Sequence, residues 1–131
     1  MTGIDTNVLV RYIMQDDPKQ SAVATRWIES LTVDSSGFVP LVVMVELGWV
    51  LEGAYALDRG QVAEAFEALL RARELVIEQA AVVWNAVRTF RSGSADLADA
   101  LIERSAASAG CDRTVTFDRG AAKYCGMALL N

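Results

Sequence analysis

Two aspartates occupy equivalent places at opposite ends of the chain. Thr2-Gly3-Ile4 reads as a short strand running into Asp5, and the helical spacing of Val8, Leu9, Tyr12 and Ile13 begins soon after it. Arg113 to Phe117 reads as another strand, closed by Asp118, with a helix-compatible pattern resuming at Gly120. In open α/β sheets the carboxyl ends of the strands are where ligands bind. Glu46 is a different kind of acid. Its neighbours three and four positions away are Val42, Val43, Trp49 and Val50, so the carboxylate projects from an apolar helical face. A charge there is costly unless it is paired with an arginine or bound to a cation. Asp96, Asp99 and Glu103 follow i, i+3, i+7 spacing and share one face near a helix start. Asp96 reads as the cap of that helix, which leaves Asp99 without a capping role.

If Asp5, Glu46, Asp99 and Asp118 converge, the cluster is too acidic to ionise without cations. Mg²⁺ or Mn²⁺, with oxygen ligands and retained waters, would neutralise it and reverse its field, drawing in a phosphate that the bare site repels. One such ion can activate water and a second can stabilise the departing oxygen of a phosphodiester. Nothing else in the composition offers a route to hydrolysis. The chain has no histidine, which removes Ser-His-Asp, Cys-His and histidine-metal chemistry. Its two cysteines, Cys111 and Cys125, form no C-x-x-C pair and read as small buried hydrophobes. Neither G-x-x-x-x-G-K-[ST] nor G-x-G-x-x-G occurs among the nine glycines, so no phosphate-cradling loop is expected.

The elements that must carry these acids follow from punctuation and periodicity. Pro18 after Asp16-Asp17 opens a helix over Lys19 to Leu31, with Ala22, Val23, Trp27 and Ile28 at helical spacing. Phe38-Val39 is a second strand ended by Pro40, and Leu41 to Leu57 is long enough for one helix carrying Glu46. Gly60 to Arg73 is amphipathic, Leu75-Val76-Ile77 is a third strand, and Gln79 to Arg91 is a helix. The helix opened by Asp96 ends near Gly110, and Met127 to Leu130 adds a last edge strand. Strands separated by helix pairs need long crossovers, which favours a mostly parallel sheet. The fold class is therefore α/β, and residues 1–131 form one domain.

Hydrophobic residues make up 53% and charged residues 22%, so a packed core is expected rather than disorder. The longest apolar stretch, Phe38 to Leu51, is too short for a membrane span and is interrupted by Pro40 and Glu46. No secretory signal is visible at the start, so a cytoplasmic location with no membrane association is expected. Net charge is −5, which argues against a broad nucleic-acid-binding surface, although ten of the twelve basic residues are arginine, the type suited to bidentate phosphate contacts.

The runs Ile4-Asp5-Thr6-Asn7-Val8-Leu9, Val45-Glu46-Leu47, Asp96-Leu97-Ala98-Asp99-Ala100-Leu101-Ile102 and Thr116-Phe117-Asp118 resemble the ordered acidic motifs of PIN-domain nucleases. More narrowly, the chain resembles the VapC-type toxins of bacterial toxin–antitoxin pairs, from Gly3 to Gly126. That resemblance implies a three-layer α/β/α sandwich with a central, mostly parallel sheet. It also implies a Mg²⁺- or Mn²⁺-dependent endoribonuclease, a homodimer, and inhibition by a small cognate antitoxin protein. By position, Asp5, Glu46, Asp99 and Asp118 match the catalytic, metal-holding quartet, and Asp96 matches a companion metal ligand. Thr6, Asn7 and Thr116 match polar residues that support the acids by hydrogen bonds. The expected reaction is hydrolysis of an unpaired RNA phosphodiester, leaving a 5′-phosphate and a 3′-hydroxyl.

Competing readings are weaker. A receiver-like phospho-acceptor would carry an acidic pair at the first strand, where Asp5 stands alone, and a small-phosphoester phosphatase would need Asp-x-Asp there. A catalytically silent PIN-like module that only binds a protein partner remains the alternative, and affinity for Mn²⁺ separates it from an enzyme. The RNA target is not legible in the sequence, because loops are recognised through shape and scattered contacts.

Overall fold

The first strand is only two residues long and leads directly into an aspartate-capped helix, the arrangement expected from Thr2-Gly3-Ile4-Asp5. A computed structural model describes all residues, 1–131, and groups them into two units, Met1–Ala80 and Ala81–Asn131.

The first unit contains β1 (Thr2–Gly3), α1 (Thr6–Met14), α2 (Pro18–Glu29), β2 (Gly37–Val39), α3 (Leu41–Trp49), α4 (Arg59–Arg71) and β3 (Leu75–Ile77). Its three strands pair in parallel in the order β1-β2-β3, with Thr2 opposite Gly37 and Gly37 opposite Leu75. Gly37 is set by close approach of side chains rather than by its backbone angle. A Cβ there would lie 2.6 Å from Ile4 Cδ1 and 3.0 Å from Leu31 Cδ1, so a larger residue would force those side-chain ends to shift. On β3 the alternation is strict, with Leu75 and Ile77 buried and Val76 exposed, as a strand with one inward face demands.

Helix starts follow the sequence signals. Asp17 caps α2 through its bond from Gln20 N, and Pro18 occupies the first turn, where a missing N–H costs nothing. Asp58 and Gln61 form a reciprocal capping box at α4. Helix α1 packs on both α2 and α3, and the core beneath is filled by Leu9, Met44, Leu47, Leu51, Val62 and Phe66, all with essentially no exposure.

One expected element is divided. Instead of a single helix from Leu41 to Leu57, α3 ends at Trp49 and a π-helical turn runs from Val50 to Ala54. Tyr55 N then donates to Val50 O at 3.2 Å, and Ala56 takes a left-handed backbone with φ of 50°. Gly53 lowers the cost of leaving the regular helix, and the wider turn keeps Leu51 fully buried.

The second unit contains α5 (Ala80–Ser92), α6 (Leu97–Ser108), β4 (Val115–Thr116), α7 (Arg119–Cys125) and β5 (Ala128–Leu129). Helix α5 buries Val82, Val83, Ala86, Val87 and Phe90, a stripe at helical spacing. Strands β4 and β5 pair in parallel, Val115 opposite Ala128 and Thr116 opposite Leu129. Gly126 ends α7 with φ of 72°, a left-handed cap that glycine adopts at little cost and that lets the chain turn into β5. Helix α7 packs on α6, which sets Asp118 near the first turn of that helix.

The α/β class and the parallel pairing agree with the order of elements read from the sequence, while the strand ladders divide into a three-stranded and a two-stranded sheet. No helix is long and apolar enough to cross a membrane.

Candidate metal centre and adjoining cleft

In the first unit, Asp5 is the N-cap of α1, where its Oδ1 accepts the Thr6 N–H at 2.8 Å. Its carboxylate is exposed and lines a cleft of about 890 Å³ between α1 and α2. Asn7 lines the same cleft. Thr6 is buried, and its hydroxyl has no hydrogen-bond partner. Glu46 lies near the middle of α3 and forms no ion pair, so the plain alternative of a core-facing arginine is not realised. The structure also corrects the expectation that its charge sits at a costly place. Glu46 is exposed, and its neighbours Val42 and Trp49 are 72% and 70% exposed, so the apolar face it shares looks outward rather than into the core. Water can solvate this carboxylate, and burial places no demand on it.

The burial cost falls instead on Asp99, in the second unit. Asp96 caps α6, accepting from Ala98 N at 2.9 Å and Asp99 N at 3.3 Å. This places Asp99 in the first helical turn, half-buried. Asp118 caps α7 in the same way, accepting from Ala121 N at 3.0 Å, and its own N–H donates to Thr116 Oγ1 at 3.0 Å. Thr116 thus fixes the backbone that presents Asp118. Burial raises the Asp99 carboxyl above its ordinary value, and the negative charges of Asp96 and Asp118 raise it further. None of these three acids has an arginine or lysine partner.

Cys125 reports the same field. Burial raises its thiol, and the charges of Asp99, Asp96, Glu103 and Asp118 add to the shift. Glu103 is bonded to Arg104, so its charge is largely answered locally. Of the two cysteines expected to be buried hydrophobes, Cys125 is half-buried and Cys111 is exposed, in the polar turn after α6.

A set of carboxylates with no neutralising side chain suits a hard, oxygen-preferring divalent cation. The chemistry of the donors fits Mg²⁺ or Mn²⁺. No three acids or cysteines within either unit are drawn together as a ready-made metal cage.

Two features escaped the sequence. Asp16, read as part of a turn, accepts from the Tyr55 hydroxyl at 2.6 Å and from Arg11 Nη1 at 3.1 Å, and Arg11 Nε also donates to Gln20 Oε1 at 2.8 Å. The bond from Tyr55, with further help from Arg11, holds the Asp16 carboxyl below its ordinary value. The second is the cleft itself, whose lining includes Lys19, Gln20, Val23 and Trp27 of α2. The clue available in the sequence was the polar pair Lys19-Gln20 just after the Pro18 helix start.

Parallel strands followed by aspartate-capped helices define an α/β protein with acids at the starts of α1, α6 and α7. The PIN domain model matches residues 4–127, and the chain belongs to the PIN-domain family, a nuclease-type fold whose members generally use divalent metal ions. No curated protein and no solved structure matches the chain.

Proposed function

We propose that this chain is a Mg²⁺- or Mn²⁺-dependent endoribonuclease and the toxin of a VapC-type toxin–antitoxin pair. The observation that carries the enzymatic part is Asp99, half-buried and raised by its own desolvation and by two neighbouring aspartates that lack any cationic partner. A cation beside a carboxylate in that position would favour its charged form and offset the neighbouring negative charges. Asp5, Glu46, Asp99 and Asp118 are the proposed catalytic acids, with Asp96 as a further metal ligand. Because the family match runs through both units, the acids of both are read as one set and the chain as one nuclease domain, 1–131. Thr6, whose backbone N–H rather than its unpartnered hydroxyl bonds Asp5, Asn7 beside it, and Thr116 are the proposed supporting residues. The last of these acts through the bond from Asp118 N.

A hard divalent ion would supply charge neutralisation and a more acidic water at the phosphodiester. The chain's own residues prepare for it. The caps at α1, α6 and α7 fix the backbone on which Asp5, Asp96 and Asp118 stand, and the partial burial of Asp99 keeps bulk water from dispersing the local field. The substrate is unpaired RNA, cut to leave a 5′-phosphate and a 3′-hydroxyl. A cytoplasmic homodimer restrained by a small antitoxin completes the proposal.

The exposed pair Val42 and Trp49 beside Glu46 favours one alternative, a catalytically silent module that offers an apolar surface to a protein partner. Incubating the purified protein with a pool of structured RNAs in Mg²⁺, Mn²⁺ or EDTA, beside Asp5→Asn, separates the two readings. Discrete metal-dependent cuts that vanish in Asp5→Asn support the nuclease; an uncut pool together with no thermal stabilisation by Mn²⁺ leaves the binding module.

A further inference from the structure

We propose that the cleft between α1 and α2 seats an unpaired RNA base against Trp27, with Lys19 on an adjoining phosphate, an inference that rests on the nuclease reading because Asp5 lines the same cleft. At about 890 Å³ the cleft lies within the size range of pockets that enclose small ligands, ample for a nucleotide. Its walls are of two kinds. Val8, Val23 and Ala24 give an apolar surface beside the half-exposed Trp27 indole, and Val23 is 54% exposed although it belongs to a helix that buries Ala24 and Ile28 beside it. Asn7, Gln20 and Lys19 supply the polar wall.

The polar residues differ in what they have left to give. Arg11 is occupied, since Nε bonds Gln20 Oε1 and Nη1 bonds Asp16 and Tyr55. Its role is to hold Gln20. With Oε1 engaged, the Gln20 amide NH₂ remains as a donor, suited to a carbonyl oxygen on a base edge. Lys19 forms no ion pair and is exposed, a positive charge in a chain of net charge −5, at the mouth of a cleft that also holds an acid proposed to bind metal. An aromatic face, a free amide and one unpaired cation constitute the equipment of single-stranded nucleic-acid binding: stacking for any base, an amide to discriminate among bases, and a charge for the backbone. Trp27 is therefore a positioning residue, setting where the strand lies relative to Asp5.

The test is fluorescence anisotropy with labelled single-stranded hexamers, oligo-U and oligo-A, in Mg²⁺. The full chain carries Asp99→Asn so that bound RNA is not cut, while the cleft keeps all its residues. Trp27→Ala is expected to weaken binding about 10-fold, within the range stacking on an aromatic supplies, and Trp27→Phe to restore most of it. Lys19→Gln is expected to lower the slope of log K against log salt by about 0.7, one phosphate contact on a single strand. In the uncompromised chain, Trp27→Ala should raise KM for a cleaved RNA more than it lowers kcat. Hexamer binding that is absent, or unchanged by both Trp27→Ala and Lys19→Gln in folded protein, overturns the inference, as does occupation of the cleft by a peptide alone. Binding that depends on Trp27 in a protein that cuts no RNA in any metal upholds the inference while removing the nuclease reading. Cleavage with a KM indifferent to Trp27 does the reverse.

Discussion

The acids of the first unit and those of the second stand in opposite surroundings. Asp5 and Glu46 are exposed, one at a helix cap beside an open cleft and the other between two outward-facing apolar side chains. Asp96, Asp99 and Asp118 sit near enough to one another that the charges of Asp96 and Asp118 act on the half-buried Asp99 carboxyl, and the field extends to the Cys125 thiol. The difference separates two jobs. An exposed carboxylate is available to a ligand but does not require one, whereas the Asp99 group is held in a state that a cation relieves. On the proposed reading, need for metal is concentrated in the second unit and access for substrate in the first.

The comparison can be broken by substitution. The largest effect is on cleavage. Asp99→Asn and Asp5→Asn should each slow RNA hydrolysis by at least the 10- to 100-fold that removal of a metal site's outer partners costs, measured in single-turnover assays with Mg²⁺. If Asp5→Asn alone is harmless, the first unit contributes substrate surface only. Next in size is metal stabilisation. Mn²⁺ at a hundred times its dissociation constant should raise the stability of the wild-type chain by about 2.7 kcal/mol, read by thermal melts, and Asp118→Asn should diminish the gain.

A smaller effect separates capping from chemistry. Asp58 caps α4 through the same geometry that Asp118 uses at α7, but stands outside the acidic set. Asp58→Ala should cost about 1 kcal/mol of stability with the cleavage rate unchanged, whereas Asp118→Ala should impair both. The smallest effect sharpens the electrostatic contrast. Because folding raises the Asp99 carboxyl above its ordinary value, the native chain holds that proton more tightly than the unfolded chain. Its contribution to stability is fully present below the ordinary carboxylate value and is lost as pH rises toward the raised one. Metal-free Asp99→Asn should consequently melt above the wild type at neutral pH, and the gap should close in acid.

Much of the frame was legible in the sequence because local signals and tertiary packing agree. Leu75–Ile77 is a strand of the expected length, Pro18 opens α2, and Asp96 caps α6, since each rests on chemistry confined to a few neighbouring residues. What was illegible depends on which way a face turns. Val42 and Trp49 carry helical spacing that fits a core as well as a surface, and only the packing of α3 shows that Val43, Met44 and Leu47 take the inside. The π-helical turn after Trp49 has no signature beyond Gly53, and Cys111 follows a small-residue run that could have led inward. For the candidate site, sequence order marked the acids but assigned the burial cost to Glu46. The packing of α7 against α6, a contact between distant segments, transfers it to Asp99.

We propose that Asp5 and Asp99 serve one metal-dependent chemistry. Thermal melting of the wild type, Asp5→Asn and Asp99→Asn across a Mn²⁺ titration tests it most directly. The expected result is a wild-type melting temperature that climbs with Mn²⁺ and a much smaller climb in each variant. A full climb in Asp5→Asn, with the loss confined to Asp99→Asn, would place the metal with the second unit's acids alone and contradict the claim.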